Sequence, residues 1–242
     1  MVSLTFPPPV PAPRSEAELL SRSRALAGRT LGELAAQSGV QTPPDLRRAK
    51  GWVGSFLERL LGATASSKAA PDFEALGIEM KTLPVTEQGQ PVESTFVCTI
   101  DLLAMGDLEW EHSRVWRKLE RVLWVPVMGR RDIPVPERRV GTAFLWTPSS
   151  EQRDGLRFDW EELAGVIGSG EVEKLTGHLG KYLQVRPKAA NSRARRRGTD
   201  RDGTSYDALP RGFYLRPSFT SAILDAQFGL NLVEGTPTYG SR

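Results

Sequence analysis

At 242 residues, with 39% hydrophobic and 25% charged side chains, the chain has an ordinary globular composition, which excludes collagen-like and wholly disordered classes. No apolar run approaches the roughly 18 residues that a membrane span needs, and a single cysteine, Cys98, excludes an internal disulfide framework. The net charge of +3 hides an asymmetry: residues 186–216 hold nine Lys/Arg against three Asp, which leaves the rest of the chain at −3.

A concentrated positive segment on a near-neutral body suits phosphate contacts, and it equally suits a solvated Arg-rich loop. Two histidines and one cysteine are too few for a Cys/His zinc site within the chain, and the lone thiol fits a reducing cytoplasm.

Residues 1–14 are Pro-rich and carry no basic cluster followed by an apolar block, so they read as a flexible lead-in rather than a secretory signal. Ser15 with Glu18, and Thr30 with Glu33, have capping-box spacing and predict helices over 15–27 and 30–39. Thr42, Pro43 and Pro44 mark a further helix start, since proline is tolerated in the first turn. Between residues 51 and 61, Val53, Phe56, Leu57, Leu60 and Leu61 recur at helical spacing and predict a strongly amphipathic helix. Short apolar or alternating runs predict strands at 77–83, 95–100, 121–127 and 143–146. Helices are expected at 159–167 and 171–178, strands at 182–185 and 212–215 flanking the basic loop, and a closing helix at 218–228. Helices and strands mix without strict βαβ alternation, which predicts an α/β fold with a mixed sheet flanked by helices. The division this gives is a lead-in at 1–14, one domain over 15–230 and a loose tail at 231–242.

The stretch richest in chemistry is Asp72 to Lys81. In a strand, Glu79 and Lys81 share one face about 7 Å apart, close enough to address one phosphodiester and its attacking water. A bend at Gly77 would return the Asp72 carboxylate to the same place. Two carboxylates and a lysine suit metal-assisted phosphodiester hydrolysis: hard oxygens hold magnesium, and the ammonium offsets developing charge. The same residues also occur by chance on exposed strand edges, and spacing alone does not separate the two. Glu58 lies off the apolar stripe of its helix, with Gly51, Gly54 and Gly62 at i−7, i−4 and i+4. A side cleared of bulk suits a ligand-facing carboxylate, and it also suits a solvent-facing one on a tightly packed helix.

Six separated, collinear blocks carry a resemblance. Lys50-Gly51-Trp52, Asp72…Glu79-Met80-Lys81, Thr95-Phe96-Val97-Cys98, Arg121-Val122-Leu123-Trp124, Arg186-Pro187-Lys188-Ala189-Ala190-Asn191 and Leu209-Pro210-Arg211-Gly212-Phe213-Tyr214 resemble the MutH family of DNA mismatch-repair endonucleases, over residues 15–228. The resemblance implies a restriction-endonuclease-like fold whose two lobes form a cleft for duplex DNA. It also implies magnesium-dependent nicking of the unmethylated strand at hemimethylated GATC sites, by a monomer that MutL activates after MutS has found a mismatch. By the same resemblance, Asp72, Glu79 and Glu58 are metal ligands in the acidic site and Lys81 is the catalytic lysine. Lys118 matches a further active-site lysine, although Trp116 and Glu120 beside it depart from the pattern.

The resemblance also assigns DNA contacts to Lys50, Phe96, Arg186, Pro187, Lys188 and Tyr214, with Tyr214 beside the adenine whose methyl group it senses. Physically, Arg186 and Lys188 can donate to guanine acceptors or phosphates, and Pro187 stiffens the backbone between them. An added methyl in a tight site discriminates through clash and lost hydrogen bonds. Phe96 suits packing against a base step. The Arg-rich segment 192–207 and the tail at 231–242 depart from the family pattern. Two alternatives share much of this sequence signal: a restriction endonuclease cutting both strands at GATC, and a non-catalytic reader of methyl-adenine.

Overall fold

A computed structural model of the chain describes residues 6–47, 49–65, 69–102, 108–171, 175, 177–188, 196–199 and 205–229. Its architecture is the expected mixed α/β one: small sheets flanked by helices. Among the described residues no helix is long and apolar enough to cross a membrane.

Helix α1 (Glu16–Arg24) starts at Ser15, whose hydroxyl accepts the Glu18 N–H at 3.2 Å. The return bond goes elsewhere, because the Glu18 carboxylate accepts the Arg14 N–H. The box at Thr30 and Glu33 closes in both directions and opens α2 (Leu31–Gln37). No helix starts at Thr42–Pro44. The ring of Pro44 disfavours helical geometry at Pro43, and residues 41–45 run irregularly into a turn at 46–47. Helix α3 (Trp52–Leu61) runs between two glycines in left-handed geometry, Gly51 at φ 82° and Gly62 at φ 85°. It buries Trp52, Phe56, Leu57 and Leu61.

Residues 6–14 are not the free lead-in that their prolines suggest. Arg59 donates to the Pro7 carbonyl and lies over the Phe6 ring, Arg22 donates to the Pro11 carbonyl, and the Val10 N–H bonds the Arg59 carbonyl. Proline lacks an N–H donor, but its carbonyl still accepts, and α1 and α3 supply the guanidinium donors. A Cβ on Gly62 would collide with the Pro11 carbonyl, so the strap needs glycine there.

Strand β1 (Glu79–Val85) lies parallel to β3 (Val122–Met128), which pairs antiparallel with β4 (Phe144–Trp146). A second sheet has β8 (Arg211–Leu215) between β2 (Thr95–Thr99) and β5 (Leu183–Pro187), all antiparallel. Part of the segment read as an Arg-rich loop forms a hairpin of β6 (Arg196–Thr199) and β7 (Ser205–Ala208). The tail at 231–242 lies outside the described residues.

Short α4 (Arg114–Arg117) is capped by Ser113. Helix α5 (Ser150–Gly168) starts nine residues before the expected 159, at a closed Ser149–Gln152 capping box. Its first turns carry polar residues and Gly155 rather than an apolar stripe, which hid them from periodicity. Asp159 of α5, only 2% exposed, accepts the N–H groups of Lys181, Tyr182 and Leu183, so the helix fixes the entry to β5. Half of the helix expected at 171–178 falls outside the described residues, and those described there are not helical. Helix α6 (Pro217–Phe228) closes the described chain.

The β1–β3–β4 sheet separates two core clusters. Met80, Leu123 and Val125 pack with α1, α2 and α3, whereas Leu83, Val122 and Trp124 pack with α5, α6 and the second sheet. Strand alternation places Glu79 and Lys81 on the face shared with Leu83, toward the second sheet.

Candidate active site and DNA-reading face

Glu79 and Lys81 are 5% and 7% exposed, unusual for charged side chains unless they are paired. Each does have a partner: Lys81 Nζ lies 3.1 Å from Glu79 Oε1, and Lys118 Nζ lies 2.7 Å from Glu79 Oε2. Lys118, the residue that ends α4, also donates to the Ala70 carbonyl at 2.6 Å. Both oxygens of one buried carboxylate are thus held by ammonium groups from different elements.

Asp72 reaches the site through the bend at Gly77. A single 3-10 turn, Glu74–Leu76, and the left-handed Gly77 (φ 66°) let Phe73 and Ile78 exchange backbone bonds. The loop closes on itself, and Asp72 Oδ2 accepts the Met80 N–H at 2.9 Å. Burial and then the neighbouring Glu79 charge push the Asp72 carboxyl up to about 7, against the Met80 hydrogen bond. Glu58 is raised as well, by burial first and Glu79 second, while Lys118 and Lys81 oppose the shift. The three glycines around Glu58 divide by role. A Cβ on Gly54 would stand 3.7 Å from Glu58 Oε1, an ordinary contact, so the carboxylate does not require glycine there, whereas Gly51 and Gly62 serve the helix ends.

This donor set fits a hard divalent cation: three carboxylates feel one another, and two are held above their ordinary acidity range by burial and mutual repulsion. The three carboxylates do not stand as a ready-made cage. Among the described residues no three His, Cys, Asp or Glu side chains stand close enough together to hold a metal. Each Glu79 oxygen spends one lone pair on a lysine and keeps a second for a ligand. Cys98 on β2 lies within electrostatic range of Lys81 and Glu79, but burial raises its thiol to about 11, which keeps it protonated and disfavours it as a metal ligand.

The second group lies on the outer face of the β2–β8–β5 sheet. Register brings Phe96, Tyr214 and Gln184 into one row, and Gly212 beside Arg186 in the next. Phe213, Leu215, Leu183 and Val185 point into the core, so Gln184, Arg186, Gly212 and Tyr214 point outward. Phe96 and Tyr214 meet edge to face at 5.3 Å. The Arg186 guanidinium lies 5.9 Å from the Tyr214 ring centre, and Lys188 Nζ sits over Phe96. A Cβ on Gly212 would press within 2.9 Å of the Phe96 ring, so glycine makes room for that aromatic. Pro187 is exposed at the end of β5, and the Lys188 N–H bonds the Pro210 carbonyl. Lys50 is exposed just before α3, in neither group.

Two residues that sequence reasoning passed over belong to this face, Ser94 and Gln184. Ser94 Oγ accepts from Gln184 Nε2 at 2.9 Å and from Arg186 Nη1 at 3.1 Å. The available signal was strand alternation: each lies two residues from a candidate DNA contact, Phe96 or Arg186.

A buried carboxylate–lysine group, together with a half-buried aromatic sheet face edged by exposed basic side chains, is the layout of an enzyme acting on DNA. The family model described as "DNA mismatch repair enzyme MutH" matches residues 61–159. The DNA mismatch repair protein MutH of Salmonella paratyphi C is 54% identical over 216 residues, covering 89% of this chain and 94% of that protein. Its counterpart in Salmonella paratyphi A is 52% identical over 227 residues, covering 94% and 98%. The chain belongs to the MutH family, the DNA mismatch-repair endonucleases. A solved complex of the restriction endonuclease MvaI with its cognate DNA aligns over 83% of this chain and 90% of that one, at 13% identity and a TM-score of 0.33. That likeness is too distant to bear on fold or chemistry.

Proposed function

We propose that this mismatch-repair endonuclease nicks the unmethylated strand of hemimethylated GATC sites with magnesium as its cofactor. The observation that carries the proposal is the buried Glu79 carboxylate, bridged by Lys81 and Lys118 with Asp72 folded in beside it. Asp72, Glu79 and Glu58 would hold the ion, which when bound supplies an electrophile for the phosphate and acidifies a water. Lys81 offsets negative charge as it develops on the phosphate oxygens. Lys118, tethered to the Ala70 carbonyl, keeps Glu79 oriented. Arg186, Pro187, Lys188, Phe96 and Tyr214 address the groove, Tyr214 meets the adenine, and Lys50 contacts the backbone. In this reading 15–230 forms one domain whose two lobes clasp the duplex. The protein works as a monomer in the cytoplasm, so one active site meets one strand per binding event. MutL activates it after MutS has recognised a mismatch.

The test is a supercoiled-plasmid assay with one GATC site in each methylation state, across magnesium concentrations and with the cognate MutL. The expected product is nicked circle from the hemimethylated plasmid, much slower from the fully methylated one, and none without divalent cation. Direct conversion to linear DNA would instead indicate a double-strand cutter. Absence of any cleavage by wild type, with GATC binding retained, would indicate a non-catalytic reader.

A further inference from the structure

The hydrogen bonds on the outer sheet face meet at Ser94. Gln184 is 7% exposed, yet its amide reaches across central strand β8 to the Ser94 hydroxyl. Arg186, two residues further along the same face and exposed, reaches the same oxygen. A hydroxyl has two acceptor lone pairs, and these two donors occupy both. Gln184 is fixed in its turn, because β5 begins where Asp159 clamps three consecutive N–H groups.

We propose that Ser94 is a positioning residue for sequence reading: braced by Gln184, it holds the Arg186 guanidinium above Tyr214 in the orientation that addresses a guanine edge. A surface arginine left to itself samples many rotamers and must lose that freedom on binding. One N–H spent on Ser94 leaves the other donors of the guanidinium for a paired contact with guanine O6 and N7. The Tyr214 ring lies beneath the guanidinium, and Phe96, packed into the space that Gly212 leaves, braces Tyr214 edge to face. The proposal rests on the GATC reading above and adds the device that orients its arginine.

The experiment compares competition binding of the full-length protein to a GATC duplex and to one with the guanine pair replaced by A·T. Wild type, Ser94→Ala, Ser94→Thr, Arg186→Ala and the Ser94→Ala/Arg186→Ala double variant are measured at one salt concentration, with thermal melts to verify folding. Ser94→Ala is expected to lower the preference for GATC about fivefold to tenfold, since a well-made bidentate contact is worth one to two decades of discrimination. Ser94→Thr, which keeps the hydroxyl, restores the preference, and adding Ser94→Ala to Arg186→Ala costs nothing further. A wild-type preference in Ser94→Ala overturns the proposal, as does an equal loss with and without Arg186. If wild type binds both duplexes equally, the GATC reading falls. The coupling of Ser94 to Arg186 is then read from total duplex affinity, where additivity overturns the positioning role.

Discussion

Replacing Asp72 by Asn tests whether carboxylate crowding at the site is real. The Asn Oδ1 still accepts the Met80 N–H, so the substitution removes charge and little else. Folding raises Asp72 from 3.8 to about 7, through burial and then Glu79, so the folded chain holds this proton more tightly than the unfolded chain. A raised folded value makes the contribution full below about pH 4 and lost as the pH climbs through 7. A rise of that size corresponds to an upper bound of about 4 kcal/mol, and partial solvent access to Asp72 reduces it to roughly 2 kcal/mol. For a chain of this size that is a melting difference of about 4–8 °C. Thermal melts of metal-free protein between pH 4.5 and 8.5 should show Asp72→Asn gaining on wild type as pH rises, and the two converging at the acid end. A difference that stays flat with pH would refute the crowding.

Glu79→Gln should keep duplex affinity within a few fold while lowering the cleavage rate by at least about a thousandfold, read by single-turnover nicking and filter binding. Gly212→Ala should destabilise the fold by about 1–3 kcal/mol, because its Cβ meets the Phe96 ring at 2.9 Å and the Cys98 carbonyl at 3.1 Å; urea unfolding checks this. Arg59→Ala should release the N-terminal strap, seen as faster proteolysis within residues 6–14 with α3 still protected. Cys98 should react with a thiol reagent at pH 8 only at the rate of unfolding, as its burial and raised pKa require; fast labelling of native protein would contradict both.

What the sequence determined by itself was the part of the molecule whose causes are local. Thr30 with Glu33 forms its capping box wherever the chain goes, and the stripe from Phe56 to Leu61 makes a one-sided helix. Alternation alone put Glu79 and Lys81 on one face, and Gly77 marked where the chain could turn. The prolines misled twice, once where Pro44 prevents a helix and once where Pro7 and Pro11 serve as acceptors for distant arginines. Tertiary structure alone brought Lys118 onto Glu79 across 39 residues and Arg186 onto Ser94 across 92. It also let Glu79 bond its lysines rather than converge with Asp72 and Glu58 on a ready-made cage. The physical reason is that burial and long-range pairing fix charge balance and side-chain direction, and neither is set until the two sheets and their helices have packed.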